Sequence, residues 1–313
     1  MRARCTLEKT ATTAQAPGSA LARRTAEELG TLLARPMRAG LYLVATPIGN
    51  LGDVTLRALA TLARADLLYC EDTRHSAVLL QHFSIVRPLR PYHEHNAQRE
   101  RPRILAELAA GKAVALMSDA GTPLVSDPGY KLVREALAAG HPVLSLPGPS
   151  AALAALVSAG LATDTFLFAG FLPARQAARR ARLARLQAVP ATLVFFEAPS
   201  RLSESLGDIE QVLGAREAAV ARELTKLHEE VRRGTPRELA QWAAETAPRG
   251  EMVVLVGPPL PEVVTDEAIA AKLTPMLPVM SLSDAAKAAA DDLGVTKARA
   301  YDIGIALKRR AEG

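Results

Sequence analysis

The chain has 313 residues, 49% hydrophobic and 23% charged, which supplies a core and excludes wholesale disorder and collagen-like or mucin-like composition. Its length suits two domains with room for a small third. The formal charge of +5 is concentrated at the N-terminus, where residues 1–38 alone carry +4, so the basic balance does not make the rest a general polyanion binder.

Residues 1–38 are Ala/Thr/Arg-rich, and the first twenty lack both a periodic apolar face and the long apolar run of a secretory signal. They are expected to be a disordered basic extension that contributes neither fold nor chemistry. Met37, directly before the first strand signal, is an alternative start of translation. From Leu41 the pattern becomes rhythmic. Strand-like runs at 41–46, 67–72, 113–118 and 143–146 alternate with helical patterns at 53–64, 103–110, 131–139 and 151–158. Gly111, Gly140 and Gly160 stand where helices stop in a left-handed residue. The most apolar stretch, 151–162, is too short for a membrane span and reads as a buried helix. Such alternation predicts a mainly parallel sheet covered on both faces.

A second block has strands at 166–169, 192–197, 218–222 and 252–256, with helices between them. Thr235-Pro236-Arg237-Glu238 is a capping box with Pro at the first helical position. Pro258, Pro259 and Pro261 mark a linker, and beyond it the sequence is Ala/Lys-rich and helical. The reading is α/β, with an N-terminal α/β domain at 39–162, a C-terminal α/β domain at 163–260 and a helical tail at 266–313. Two cysteines, Cys5 and Cys70, make no disulfide framework or four-ligand zinc site and suit a reducing, cytoplasmic setting.

In open α/β sheets ligands bind outside the carboxyl ends of the strands. The loops there are Thr46 to Asp53, Glu71 to His75, Ser118 to Gly129 and Pro147 to Ala151. Each mixes Gly or Pro with small hydroxyls or carboxylates. Singly they could be mere connections; four on one edge point to a polar small molecule held by main-chain groups. Neither GxGxxG nor GxxxxGK[ST] occurs, which argues against a standard dinucleotide or P-loop site.

These loops, with Gly170-Phe171-Leu172-Pro173, Phe196-Glu197, Ala221 to Lys226 and Gly250 to Val253, resemble the tetrapyrrole methylase superfamily, in its small-subunit ribosomal RNA 2′-O-methyltransferase branch. The resemblance runs from about Gly40 to Val256 without a gap. It implies two α/β domains with a cleft between them, S-adenosylmethionine as methyl donor, and a homodimer. It further implies 2′-O-methylation of a cytidine in small-subunit (16S) ribosomal RNA, with the 30S ribosomal subunit as partner and no membrane or metal. By position it places Pro47 in the first donor loop and Gly121, Thr122, Pro123 and Val125 where the superfamily has its Gly-Asp-Pro segment. Ser150 and Ala151 match the next donor contact; Phe196 lines the second-domain side, with Leu224 and Met252 as further matches. Thr122 in place of an acid argues against tetrapyrrole substrates, although a precorrin-type C-methyltransferase and a catalytically silent RNA-binding assembly factor remain alternatives. The branch usually has a His after the Glu-Ser/Ala-x pattern; here Glu197-Ala198-Pro199-Ser200-Arg201 has none.

Methyl transfer from a sulfonium needs little acid catalysis, but a ribose 2′-hydroxyl is a poor nucleophile until its proton is accepted. Glu197, Asp72 and Lys226 are the candidate bases, each with a plain alternative: a helix-entry cap, an ion pair with Arg74, a solvated strand end. His93, His95 and Asn96 lie in a loop after Tyr92 and suit RNA contact better than zinc. Residues 173–188 hold Arg175, Arg179, Arg180, Arg182 and Arg185 with no acid, either a phosphate track or a solvated helix face. Arg74 and Arg201 are further RNA-contact candidates. In the tail, a helix, a Gly294-Val295 turn and a second helix resemble a helix-turn-helix, with Lys297 and Arg299 as basic contacts. A docking or dimer-supporting helical pair is the alternative.

Overall fold

The alternating pattern is realised in a computed structural model that describes residues 17–260 and 264–312. The chain divides into two compact units, residues 1–259 and 260–313. In the first unit α1 (Pro17–Ala34), β1 (Gly40–Val44), α2 (Leu56–Arg64), β2 (Leu67–Cys70), α3 (Thr73–His82) and β3 (Leu89–Pro91) come first. Then follow α4 (Ala97–Ala109), β4 (Ala113–Met117), α5 (Tyr130–Ala138), β5 (Val143–Leu146) and α6 (Ala151–Ala159). The five strands form one parallel sheet in the order β3-β2-β4-β1-β5. Strand alternation fills both of its faces. Tyr42, Val44, Leu68, Ala113 and Ala115 join α2 and α3 on one side; Leu41, Tyr69, Val114 and Leu116 join α4 and α5 on the other.

The second sheet contains β6 (Phe166–Phe171), β7 (Thr192–Glu197), β8 (Ala218–Arg222), β9 (Glu230–Gly234) and β10 (Met252–Val256) in the order β6-β7-β10-β8-β9. Only β6 and β7 are parallel; every other pair is antiparallel. Helices α7 (Gln176–Ala184), α8 (Leu202–Leu213) and α9 (Pro236–Thr246) cover one face through Leu183, Leu206, Ile209 and Leu239. The capping box of α9 forms as its sequence dictates. On the opposite face lies α6, whose Ala152, Ala155, Leu156 and Ala159 meet Val194, Ala219, Ala221, Val253 and Leu255. Small alanines let this helix lie close to the sheet, so the element that leaves the first sheet is also part of the core of the second.

Three differences from the sequence reading have physical causes. The segment 73–75 is the first turn of α3, capped by the Asp72 side chain at Arg74 N–H, rather than loop. Strand β9 was not visible because its Arg232 and Arg233 break the apolar pattern: Arg232 stacks on Trp242 at 4.9 Å, and Arg233 Nε donates to Ala159 O at 2.7 Å, at the end of α6. The expected disordered extension is corrected over 17–34, which form α1; residues 1–16 lie outside the described residues. Arg64 Nη1 donates to the carbonyls of Leu32 and Arg35 near the end of that helix.

In the second unit α10 (Asp266–Leu273), α11 (Leu282–Leu293) and α12 (Lys297–Glu312) pack Ile269, Leu273, Ala285, Ala286, Ala289 and Ala300 into one small core. Gly294, in the left-handed region, turns the chain between α11 and α12. Among the described residues no helix is long and apolar enough to cross a membrane.

None of the described side chains of α1 is buried, so its packing stabilises little. Deleting residues 1–34 should cost about 1 kcal/mol and lower Tm by roughly 2–4 °C in a thermal melt. A collapse of the melting transition would show that α1 is integral to the fold.

Candidate active site

The loops after β1, β4 and β5 are fastened to one another. Thr46 N–H donates to Gly121 O at 2.9 Å and Gly121 N–H returns a bond to Thr46 O at 3.0 Å, an isolated antiparallel bridge. Thr46 Oγ1 donates to Ser118 O at 2.9 Å, and Thr122 Oγ1 donates to Pro149 O at 3.1 Å. Gly121 has φ +78°, and a Cβ there would meet Ile48 Cγ2 at 3.3 Å.

Beside this rim a cavity of about 390 Å³ lies between the two sheets. Ile48, Val125, Ala151, Phe171, Phe196 and Met252 give it an apolar wall, and the acidic residues Asp119, Asp127, Glu197 and Glu251 also line it. Phe196 is held edge-on between Phe168 and Phe171, at 4.9 and 5.5 Å. The structure thus brings together Val125, Ala151, Phe196 and Met252 from the sequence-derived donor set. Pro47 lines an adjoining cavity of about 370 Å³, which shares Ile48, Asp119, Ala120 and Glu251 with the first. Gly121 and Thr122 belong to the fastened rim. Pro123 is buried, and Ser150 is the N-cap residue of α6. Leu224 is 8% exposed and packs in the core beneath α6. Missed in the sequence were Ile48, Asp119, Asp127 and Phe171, although Asp119 and Asp127 stand in a loop already singled out.

All three candidate bases are otherwise engaged. Glu197 is buried; its Oε1 accepts from Ala198 N–H and Arg201 Nε, both at 2.8 Å, and from Arg201 Nη2, while Oε2 accepts from Ser205 Oγ at 2.6 Å. Its oxygens are committed to holding the entry of α8. Asp72 accepts from the Arg74 side chain at 2.8 Å and from its backbone at 2.9 Å, and these bonds hold it well below the usual carboxylate range. For Lys226, burial pulls the ammonium pKa down, but the Glu223 hydrogen bond at 2.9 Å and the charges of Glu251 and Glu223 outweigh it. Its pKa is raised, so it stays a cation. Each of the three candidate bases is thus held by neighbouring groups in the structure.

The expected RNA contacts separate in the same way. Arg179 is 1% exposed and its Nε donates to Asp208 Oδ2 at 2.6 Å; Arg180 takes the other oxygen at 2.6 Å. The arginine run is therefore opposed, by an acid supplied from α8 rather than by its own segment. Arg179 shares the buried face of α7 with Leu183, one turn on, and cannot reach a nucleic acid. Arg175 and Arg185 are exposed, and Arg182 is half-buried. Arg201 is drawn in to Glu197 and to Leu172 O at 3.1 Å. Asn96 is buried, accepting from His93 N–H and donating to Pro91 O, both at 2.9 Å; it builds the loop rather than contacting RNA. His93 is half-buried, His95 exposed, and Arg74 exposed but paired with Asp72. In the tail Arg299 donates to Asp266 Oδ1 at 2.7 Å and to Val264 O at 2.8 Å, and Lys297 donates to Ser283 Oγ at 3.0 Å, all within the helical unit.

Residues 40–240 match the family described as Tetrapyrrole (Corrin/Porphyrin) Methylases. The chain belongs to the tetrapyrrole methylase family. A relative from Mesorhizobium japonicum, named "Ribosomal RNA small subunit methyltransferase I", is 54% identical over 277 residues, covering 88% of this chain and 94% of its own. A protein of the same name from Pseudomonas aeruginosa is 49% identical over 285 residues, 88% of this chain and all of its own. Among solved structures, a cobalt precorrin-4 methyltransferase has a TM-score of 0.54 at 17% identity over 73% of this chain and 96% of its own. A diphthine synthase has a TM-score of 0.55 at 14% identity over 69% and 89%. At these identities the likeness establishes the fold.

Burial pushes the Asp208 carboxyl up, but hydrogen bonds from Arg180 and Arg179 and their charges outweigh it, leaving the pKa below its ordinary value. A depressed carboxylate stabilises above the unfolded value and loses that contribution as pH falls through the folded one, so the loss belongs to pH below about 4. Arg179→Ala should destabilise by about 3 kcal/mol, because it removes one partner of a buried ion pair. A thermal melt at neutral pH reads the change. Unaltered stability with weakened RNA binding would return Arg179 to the RNA-contact set.

Proposed function

We infer that this tetrapyrrole methylase is an S-adenosylmethionine-dependent methyltransferase whose acceptor is a cytidine 2′-hydroxyl in small-subunit ribosomal RNA. The observation that carries the reading is the 390 Å³ cavity on the fastened strand ends, in a chain 54% identical to a protein named for small-subunit rRNA methylation. The cavity is of small-ligand size. Ile48, Phe171, Phe196 and Met252 suit an adenosine and its thioether arm, and the Asp119 and Glu251 carboxylates at the same wall suit a cationic donor. When bound, S-adenosylmethionine supplies an electrophilic methyl group on a sulfonium. The chain's contribution is to hold donor and acceptor in line and to exclude water. Metal chemistry is not part of the reading. A homodimer in the cytoplasm completes it, supported by the apolar Leu153 and Val157 that α6 exposes at 50% and 76%.

Incubating the protein with labelled S-adenosylmethionine and undermodified small ribosomal subunits tests the reading directly. Label in the rRNA is expected. Label in a tetrapyrrole instead would favour the C-methyltransferase alternative, and RNA binding without donor binding would favour a silent assembly factor.

Gly121→Val should abolish donor binding in calorimetry with the far-UV spectrum intact, since a β-branched residue at φ +78° must move the Thr46–Gly121 bridge. Unchanged affinity would remove this rim from the donor site. For RNA, Arg175, Arg182 and Arg185 are the arginines of the run left for phosphate. Replacing all three by Ala should flatten the salt dependence of RNA affinity by about one slope unit per lost contact, with donor affinity unmoved. Equal slopes would make them a solvated face.

A further inference from the structure

A third cavity, of about 760 Å³, adjoins the 390 Å³ one. Its wall includes Glu71, Tyr92, Arg101, Asp127, Tyr130 and Lys131. Ser126 and Asp127 line both cavities, so this dipeptide is the partition between them. Its path is unusual. Leu124 and Ser126 have φ of 70° and 63°, a region L-residues seldom occupy, and Gly129 has φ 136°. A Cβ at Gly129 would meet Leu116 Cδ2 at 3.1 Å and Leu124 Cδ1 at 3.3 Å. Such strain persists where the surroundings over-determine the backbone, and it gathers at functional sites. Here it folds the loop so that Asp127 returns to Ser118 at the end of β4, where Ser118 Oγ donates to Asp127 Oδ2.

The carboxylates around the donor cavity are not equivalent. Glu197 is fully engaged, as described. Asp119 accepts from Asp72 N–H at 2.9 Å and from Ser76 Oγ at 3.0 Å. Glu251 is 72% exposed and paired with Lys226 at 3.3 Å. Asp127 differs: among the described residues Ser118 is its sole hydrogen-bond partner, which leaves Oδ1 free. Ser118 is also arranged for either protonation state. With Asp127 ionised, Ser118 donates to it; with Asp127 protonated, the carboxyl can donate to Ser118 Oγ, whose hydrogen then turns to Ala120 O at 2.9 Å.

We propose that Asp127 is the proton acceptor for the ribose 2′-hydroxyl, and that the 760 Å³ cavity holds the acceptor nucleoside, splayed out as single-stranded RNA, on the opposite side of Asp127 from the donor. This rests on the methyltransferase reading above. The 2′-oxygen gives its proton to Oδ1 and a lone pair to the methyl carbon as the carbon–sulfur pair leaves onto sulfur. A sulfonium, a hydroxyl and a carboxylate thus become a thioether, a methyl ether and a carboxylic acid, and charge balances. Burial raises the Asp127 pKa, the Ser118 hydrogen bond lowers it, Asp119's charge raises it, and the net is upward, towards a better base. Tyr130, 63% exposed on the cavity wall, offers a ring face for the base, and Lys131 a charge for its phosphate.

Asp127→Asn, nearly isosteric, should lower kcat about 100-fold or more while S-adenosylmethionine and RNA affinities, measured by calorimetry and filter binding, stay within about threefold. Ser118→Ala removes a bond to the ionised form. It should therefore move the acidic limb of the kcat–pH profile, and the Asp127 carboxyl titration followed by 13C NMR, to higher pH. Tyr130→Ala should raise the KM for RNA about tenfold with kcat nearly kept. Full turnover in Asp127→Asn overturns the proposal, as does a pH limb that ignores Ser118→Ala. If Asp127→Asn misfolds, the Ser118→Ala limb decides alone. A parent protein that neither binds the donor nor labels rRNA would overturn the methyltransferase reading itself. Normal parent turnover with an indifferent Asp127→Asn would overturn only the base.

Discussion

The bridge between Thr46 and Gly121 is the contact on which the rest of the site depends. Parallel strands end their ladders on one edge, and the loops that leave them have no obligation to meet. Here two backbone hydrogen bonds, the Thr46 hydroxyl on Ser118 O and the Thr122 hydroxyl on Pro149 O draw three of these loops into one rim. Backbone groups that would otherwise need water are satisfied by each other. Ile48 is thereby set against the second sheet and Asp119 against α3, and the cavity between the sheets follows from both.

A second constraint is the economy of buried charge. A carboxylate removed from water must be matched by hydrogen-bond donors. Glu197 is matched by Arg201, Ser205 and a backbone amide; Asp208 by Arg179 and Arg180; Asp119 by an amide and a hydroxyl. Each match removes a group from the chemistry it might have served. Arg179 and Arg201 are basic residues that resemble RNA contacts in sequence and are structural ties in space. Incomplete matching is accordingly informative: Asp127 accepts from Ser118 alone among the described residues, where Glu197, Asp208 and Asp119 each have two or more partners.

Much was legible in the sequence. The period of the apolar residues marked the strands β1, β2, β4, β5, β6, β7, β8 and β10, and the Thr235 capping box marked α9, because these signals are local. The composition of the strand-end loops and their order along the chain marked the region of the cavity. Val125, Ala151, Phe196 and Met252 were found because each stands in a motif. Less was legible at polar edges. β9 carries Arg232 and Arg233, whose partners Trp242 and Ala159 O come from distant parts of the chain, and α1 has no buried face to give it a period.

By itself the sequence determined the α/β alternation, the helical tail, the family and the loops that carry the site. These depend on periodicity, capping and motif order, which are properties of neighbouring residues. Tertiary structure alone decided which charges are free. Whether Arg179 faces solvent depends on Asp208, 29 residues away, and whether the Glu197 oxygens are engaged depends on how Arg201 and Ser205 turn at the entry of the next helix. The direction of the strands in the second sheet was likewise undetermined, since an apolar run buried on both faces reads alike in either sense. Position in a loop could name Asp119 and Asp127 together. Only the fold brought Asp72 N–H and Ser76 onto Asp119, and returned Asp127 to Ser118 through the left-handed residues Leu124 and Ser126.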